Sequence, residues 1–286
     1  MNTETLKTFV QLAELKNYTH AANSLFVAQS TVTNRIQELE NELNKTLIIR
    51  SKKQLSLTAD GQLFLSYAKR ILKLQESAIN ELNNREQFKA TIRIGSTNTI
   101  YDCHLAGPLM KYQTTTPQTK LCITIGHSNP LIQMLQDNFI DLAFTYVPYT
   151  KKNILCQEFK KDPLILVTNT TNTEYKKGIR KDELSKIPYY YCDFPFQDLG
   201  SYIKELFPVG HSFPLEIDRS ANLIPFLLSG QGYSFLPESM VNTLVADGRL
   251  ITIPLLDFSI PDITCYVLRH LDCPKEALAL LNLIVM

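Results

Sequence analysis

The sequence predicts an α/β chain overall, with a mostly helical N-terminal winged helix-turn-helix, a long linker helix after it, and a larger C-terminal α/β domain. Three observations predict this. Helical periodicity runs up to Leu43 and gives way to two short strand-like runs. From Thr58 to Asn83 no glycine or proline follows Gly61, which leaves room for several helical turns. Beyond Thr91, strand-like and helix-like segments alternate. With 286 residues, 44% of them hydrophobic, the chain can build a small domain and a larger one, since domains usually hold about 100–200 residues.

Leu6, Phe9, Val10 and Ala13 recur at helical spacing, and the helix they form is expected to end near Lys16-Asn17, with asparagine as the left-handed C-cap. Thr19 is read as the N-cap of a short second helix carrying Ala21, Ala22 and Leu25. After a turn at Phe26-Val27-Ala28, a third helix keeps Val32, Ile36 and Leu39 for the core. Its other face displays Gln29, Ser30, Thr31, Thr33, Asn34, Arg35 and Gln37. A merely solvated face would carry more Glu and Lys, because Ser, Thr and Asn are poorer helix formers. Amides pair with adenine edges, guanidinium with guanine, and threonine methyls touch thymine, so this is a candidate DNA-reading face with Thr19 beside it. Arg35 is the expected base or phosphate contact, and loss of a base contact costs about 1–3 kcal/mol. The runs Leu47–Arg50 and Gln54–Leu57 then form a wing, whose Arg50, Lys52 and Lys53 suit DNA phosphates.

Leu65, Ala68, Leu72, Gln75, Ile79 and Leu82 follow steps of three and four, a heptad seam that implies a dimer. A second stripe, Phe64, Tyr67, Ile71, Leu74 and Ala78, borders it, so this helix needs two partners. Residues 85–90 close the segment as a polar hinge.

In the C-terminal half, strands are expected at Thr91–Thr97, Leu121–Ile125, Asp141–Tyr146, Leu164–Thr168 and Tyr233–Leu236, with helices at Leu105–Tyr112, Leu131–Asn138 and Ile224–Ser229. This alternation predicts parallel sheets with crossover helices. Ligands of such sheets sit beyond the carboxyl ends of strands, near helix N-termini that favour anions. Ser96, Thr97 and Thr99 lie at one such end, His127 and Ser128 at the next, and Thr145 at a third. Ser128 is read as the N-cap of the helix near Leu131. Tyr101 stands nearby, and Cys192 and Phe194, after a strand beginning near Tyr189, are expected opposite. Hydroxyls and helix N-termini favour an anionic ligand: a carboxylate first, with phosphate or sulfate recognised by the same groups.

The residues from Phe9 through Ala21-Ala22, Leu25, Val27, Gln29, Val32, Arg35-Ile36, Leu39-Glu40, Leu43, Leu47, Arg50, Leu57-Thr58 and Gly61 resemble the DNA-binding domain of LysR-type transcriptional regulators. Ile92–Gly95, Pro108, Tyr112, Pro117, Gly126, Ser128, Leu135, Asp141–Ala143 and Leu227–Gly232 through Leu236-Pro237 are similar to that family's effector-binding domain, which is like a periplasmic solute-binding protein. Three departures stand out. The frequent Gln-Pro-Ala-Val-Ser is Gln29-Ser30-Thr31-Val32-Thr33, a usual glycine is Asn44, and a usual phenylalanine is Ile48. Asn44 can still take a positive φ. The resemblance implies a DNA-binding domain at 1–58, a linker helix at 59–84, the hinge at 85–90 and a two-lobed effector domain at 91–286, with lobe I near 91–160 and 222–286 and lobe II near 161–221. Crossovers are expected near Leu155–Asp162 and Ile217–Asn222. It also implies a double-stranded operator with paired half-sites, a small-molecule effector in the cleft, self-association to a dimer or tetramer, and RNA polymerase as a further partner.

Composition narrows the alternatives. A net charge of +1 hides any local basic patch. The charged residues Glu4, Lys7, Glu14 and Lys16 interrupt what a secretory signal would need, and Ala277–Met286 is too short for a spanning helix, so a cytoplasmic location without membrane contact is expected. No serine-hydrolase elbow, P-loop, dinucleotide fingerprint or His-Glu-x-x-His is present, which argues against an enzyme, and no cofactor is expected. A solute-binding protein would lack the helix-turn-helix. Six scattered cysteines form no CxxC, so no metal site is expected from spacing. A thiol switch at Cys103 or Cys192 is the alternative within regulation, though no cationic cluster flanks either residue.

Overall fold

The computed structural model describes residues 1–50, 55–84, 87–192, 199–230 and 232–285, with backbone only for Arg50, Glu81, Asn83, Asn84, Leu199 and Gly200. The chain divides into two compact units, Met1–Gln87 and Phe88–Met286.

In the first unit, α1 (Thr3–Leu15), α2 (Tyr18–Ser24) and α3 (Gln29–Leu43) are followed by β1 (Ile48–Arg50), β2 (Leu55–Leu57) and α4 (Ala59–Asn84). Leu6, Phe9, Leu12, Ala21, Ala22, Val32, Ile36, Leu39 and Leu47 form its buried core. The helix termini use different residues from those expected. Lys16, at φ 50°, takes the left-handed C-cap of α1, while Asn17 is the N-cap of α2 and accepts from the His20 amide. Asn17 is thereby displaced one role along the chain, and Thr19 lies inside α2. Asn44 does adopt positive φ, 50°, as the C-cap of α3. β1 and β2 pair antiparallel as the expected wing.

α4 begins where predicted: Thr58 Oγ1 accepts from the Gly61 amide at 2.9 Å. Its stripes are used the other way round. Ala68 is buried, Leu65 and Leu72 pack on the head's own core, and Gln75 accepts from Thr3 Oγ1 at 2.9 Å. The seam expected to meet a twin therefore lies largely against this chain's own head, while Tyr67, Ile71, Leu74, Ile79 and Leu82 stay exposed.

In the second unit, β3 (Ala90–Ser96) runs into α5 (Asn98–Ile100), a π-helical turn (Tyr101–Leu105) and α6 (Ala106–Thr115). β4 (Thr119–Ile125), α7 (Ser128–Gln136), β5 (Leu142–Thr145), β6 (Ile154–Asp162) and β7 (Leu164–Asn169) follow, then β8 (Tyr190–Cys192), α8 (Leu199–Glu205), β9 (Leu215–Ile217), α9 (Ile224–Ser229), β10 (Tyr233–Pro237), α10 (Glu238–Ala246), β11 (Leu250–Ile253), β12 (Ile263–His270) and α11 (Lys275–Val285). One sheet has the order β4-β3-β5-β12-β6 and another β10-β7-β11.

The sheets are mixed, not parallel throughout. β3 is parallel to β4 and β5, and β8 to β9, but β12 is antiparallel to β5 and β6, and β7 to β10 and β11. The chain leaves the first sheet at the end of β6, where Pro163 separates it from β7. The return does not lie near 222, because β10 and β11 pair with β7. The second lobe extends at least to Ile253, and β12 brings the chain back. Alternation along the sequence could not reveal this, since strand pairing is non-local.

The first sheet is fastened at its entry by Arg93 and Asp141. The buried carboxylate accepts from the Arg93 amide at 2.7 Å and from its guanidinium at 2.9 Å, and charge-assisted bonds of this kind are the strong ones.

Phe26 yields a stability prediction. It takes φ 55° between α2 and α3 with its side chain 95% exposed, and the Val27 amide reaches back to Ala22 O, so it sits at a helix C′ position that favours glycine. Phe26→Gly should raise stability in a denaturant titration by about 0.5–1 kcal/mol, relief of left-handed strain outweighing the added unfolded-state entropy.

Candidate DNA interface and effector cavity

In α3, Val32, Ile36 and Leu39 point into the core, which leaves Gln29, Ser30, Thr33, Asn34 and Gln37 together on the opposite face. Of these, Gln29, Ser30, Asn34 and Gln37 are exposed, with Thr31 and Thr33 half-buried beside them. Thr19, also exposed, donates to Gln29 Oε1 at 3.4 Å, linking α2 to the start of this face. Arg35 is placed differently from the rest. Its guanidinium donates to Thr8 Oγ1 at 3.0 Å and lies 3.7 Å from Glu4, so it ties α3 to α1 inside the head. The backbone of Arg50 ends β1; Lys52 and Lys53 lie outside the described residues.

The wing is held by a residue given no role in the sequence reading. Glu40 Oε1 accepts from the Leu47 and Ile48 amides at 2.6 and 3.0 Å. Leu47 O in turn accepts from the Thr58 amide at 3.0 Å. Gly61 packs so closely there that a Cβ would fall 2.1 Å from Leu47 O. The missed signal is a carboxylate on the core-adjacent edge of α3, just before two strands that need their first amides satisfied.

In the second unit, a cavity of about 260 Å³ is lined by Thr97, Asn98, Thr99, Ile125, Gly126, His127, Tyr146, Cys192 and the run Asp218–Ala221. Each lining residue ends, or closely follows, β3, β4, β5, β8 or β9. Five strand ends thus meet at one place, where open α/β sheets bind ligands. Thr99 Oγ1 lies 3.3 Å from Ser220 Oγ and joins the two sides. Thr97 is 7% exposed, and its Oγ1 is buried without a hydrogen-bond partner among the described residues, a costly state unless a ligand completes it. Arg219 forms no ion pair among the described residues and adds a cation to the wall.

Of the expected effector residues, the structure brings Thr97, Thr99, His127 and Cys192 to this cavity. Ser96 is fully buried and donates to Thr97 O at 3.0 Å. Thr145 is equally buried and donates to Val147 O at 2.8 Å. Tyr101 packs on the core. Ser128 is not the N-cap of α7; His127 holds that position, and Ser128 Oγ accepts from the Tyr146 amide at 3.3 Å. These four support the wall without lining it. Phe194 lies outside the described residues. Sequence reading missed Asn98, Tyr146 and Asp218–Ala221, although the last run follows a strand end with the same polar signature as Thr97–Thr99.

Neither thiol of the alternative has the setting of a reactive thiolate. Burial pushes the Cys103 thiol up to about 11, against what a sensing cysteine needs. Cys192 is buried in the cavity wall.

A helix-turn-helix with a polar reading face, joined in one chain to an α/β domain with a cavity at its strand ends, defines a ligand-responsive DNA-binding regulator. The family described as bacterial regulatory helix-turn-helix protein, lysR family, matches residues 3–62, and the LysR substrate binding domain matches residues 85–284. The chain belongs to the LysR family of transcriptional regulators. It is 26% identical over 286 residues to the HTH-type transcriptional regulator CitR of Bacillus subtilis (strain 168), with 96% of each chain covered. It is 30% identical over 246 residues to the HTH-type transcriptional regulator HdfR of Yersinia pestis (strain Pestoides F), covering 83% of this chain and 82% of that one. The crystal structure of CbnR, a LysR family transcriptional regulator, matches with a TM-score of 0.73 at 18% identity, covering 99% of this chain and 98% of CbnR. These relatives are regulators and not enzymes. No helix among the described residues is long and apolar enough to cross a membrane.

Glu40 carries the testable consequence for the head. Glu40→Ala strands the Leu47 and Ile48 amides and should cost about 1.5–3 kcal/mol in a denaturant titration, the range for hydrogen bonds to a charged group. Glu40→Gln, which keeps an acceptor, should lose less than half of that.

Proposed function

We propose that this regulator binds a double-stranded operator with two half-sites through Gln29, Ser30, Thr31, Thr33, Asn34 and Gln37, with Thr19 and the wing's Arg50, Lys52 and Lys53 as flanking contacts, and that a small anion in the cavity controls it. The proposal keeps the cytoplasmic setting and the dimeric or tetrameric state expected from the sequence, with RNA polymerase as a further partner. The observation that carries the effector reading is the combination in one cavity of a buried hydroxyl, Thr97, and a cation, Arg219, which among the described residues have no hydrogen-bond partner and no ion pair respectively. An anion satisfies both, and a carboxylate is the preferred class because the Thr99 and Ser220 hydroxyls can share its oxygens. Support for paired half-sites comes from the exposed apolar residues of α4, which suit a second copy. The mechanism is a population shift: ligand draws together the two sides of the cavity and favours one arrangement of reading heads over another. Arg35, tied to Thr8, serves in this reading to hold α3 in place.

A melting-temperature screen of the full chain against small carboxylates, amino acids, aromatic acids and inorganic phosphate tests the effector, since a ligand of the folded state raises the transition by mass action. At least one anion should raise it. Arg219→Ala should then weaken that anion about 10–100-fold, the worth of one charge-assisted hydrogen bond. Thr97→Val should weaken it less and leave the ligand-free protein as stable as before. No shift with any of these anions, or a hit indifferent to Arg219→Ala, would overturn the anion reading.

A further inference from the structure

Behind the cavity wall lies a second group of polar side chains that the regulatory reading does not use. His104 comes from the π-helical turn, Asp162 from the last position of β6 and Cys265 from β12. His104 Nε2 lies 2.5 Å from Asp162 Oδ2, and the ligand atoms of all three residues lie within 4.8 Å of one another. The cluster is enclosed: Cys265 is fully buried, Asp162 is 4% exposed, and the Phe159 ring packs edge-on against His104 at 6.1 Å. Tyr146, which lines the effector cavity on one side, neighbours Asp162, Cys103 and Cys265 on the other.

The charge inventory is unusual for an interior. Asp162, Cys265, Cys103 and Tyr146 all become anionic when deprotonated, and His104 is the one basic group among them. Among the described residues Asp162 pairs with His104 alone, and with no lysine or arginine. Buried carboxylates are normally paired with a cation or hold a metal. The π turn is a second sign, because single π turns within helices are frequent at functional sites, and this one carries Cys103 and His104 together.

We propose that His104, Asp162 and Cys265 form an internal site for one zinc-class divalent transition-metal ion. Imidazole nitrogen, carboxylate oxygen and thiolate sulfur select zinc or cobalt over magnesium and calcium, which take oxygen alone. Tetrahedral zinc places its donor atoms roughly 3.5 Å apart, so the three groups need rotamer shifts of about 1 Å to close on an ion. Binding replaces the Cys265 S–H bond by a metal–sulfur bond and releases that proton to solvent, while His104 binds as the neutral imidazole through Nε2. The site joins β6, β12 and the turn after β3, and Tyr146 places it next to the effector cavity. It stands independently of the anion assignment above.

Cobalt(II) titration of the metal-free full chain tests this. One ion per chain should bind and give the thiolate-to-cobalt charge-transfer absorption, and zinc should displace it and raise the melting temperature. Cys265→Ser and His104→Gln should abolish the absorption and the zinc-induced shift, while Cys122→Ser keeps both. Melting curves without metal show whether each variant folds. If the wild-type chain shows no charge-transfer absorption and zinc leaves its melting unchanged, the site does not exist. If Cys265→Ser retains the absorption, the metal binds elsewhere and the assignment falls.

Discussion

The backbone of Leu47 is where the head's reading helix, wing and linker helix meet. Its amide donates to Glu40 at 2.6 Å, its carbonyl accepts from the Thr58 amide at 3.0 Å, and α4 reaches it because Gly61 has no Cβ. The two hydrogen bonds satisfy backbone polar groups that would otherwise be stranded beside a buried leucine. The consequence is positional. With β1 clamped to α3 by a carboxylate and α4 started by Thr58 on the same residue, the exposed face of α3 and the wing are tied through one backbone position. A two-element DNA grip needs such a tie, since base contacts demand fixed register.

The second unit solves its positioning problem by topology. β3, β4 and β5 run parallel, so their carboxyl ends lie on one side, and β8 and β9 bring theirs to the same place. Loops after strand ends carry little regular backbone pairing and are free to present polar groups to a ligand. Thr97 is the extreme case: it precedes α5 in the N-cap position without a capping bond, and its hydroxyl remains unspent. The Arg93–Asp141 pair joins the middle of β3 to the residue just before β5 and fixes the strands whose carboxyl ends form the wall.

Much of this was legible in the sequence because it is periodic or local. The core positions of α3, the wing strands, the Thr58 start of α4 and the positive φ of Asn44 all follow from residue type and spacing. What was not legible is relational. Lys16 took the left-handed turn because Asn17 was more useful accepting from His20. α4 carries two apolar stripes, and only packing shows that the one through Ala68 belongs to α1. The lobe boundary at 222 was misplaced because β10 and β11 declare their partner, β7, only in three dimensions. Of the strand-end hydroxyls read as candidate ligands, half-turn differences in direction separate Thr97 and Thr99 in the cavity wall from Ser96 and Thr145 behind it.

The central claim is that the chain reads DNA sequence through the exposed face of α3, and selection from a random double-stranded DNA pool by the full chain tests it most directly. The account predicts enrichment of a single interrupted inverted repeat, and a Gln29→Ala, Asn34→Ala double variant that folds normally but loses base preference within the half-sites. Enrichment of no sequence at all, or of the same repeat with the same preference by the double variant, would contradict it.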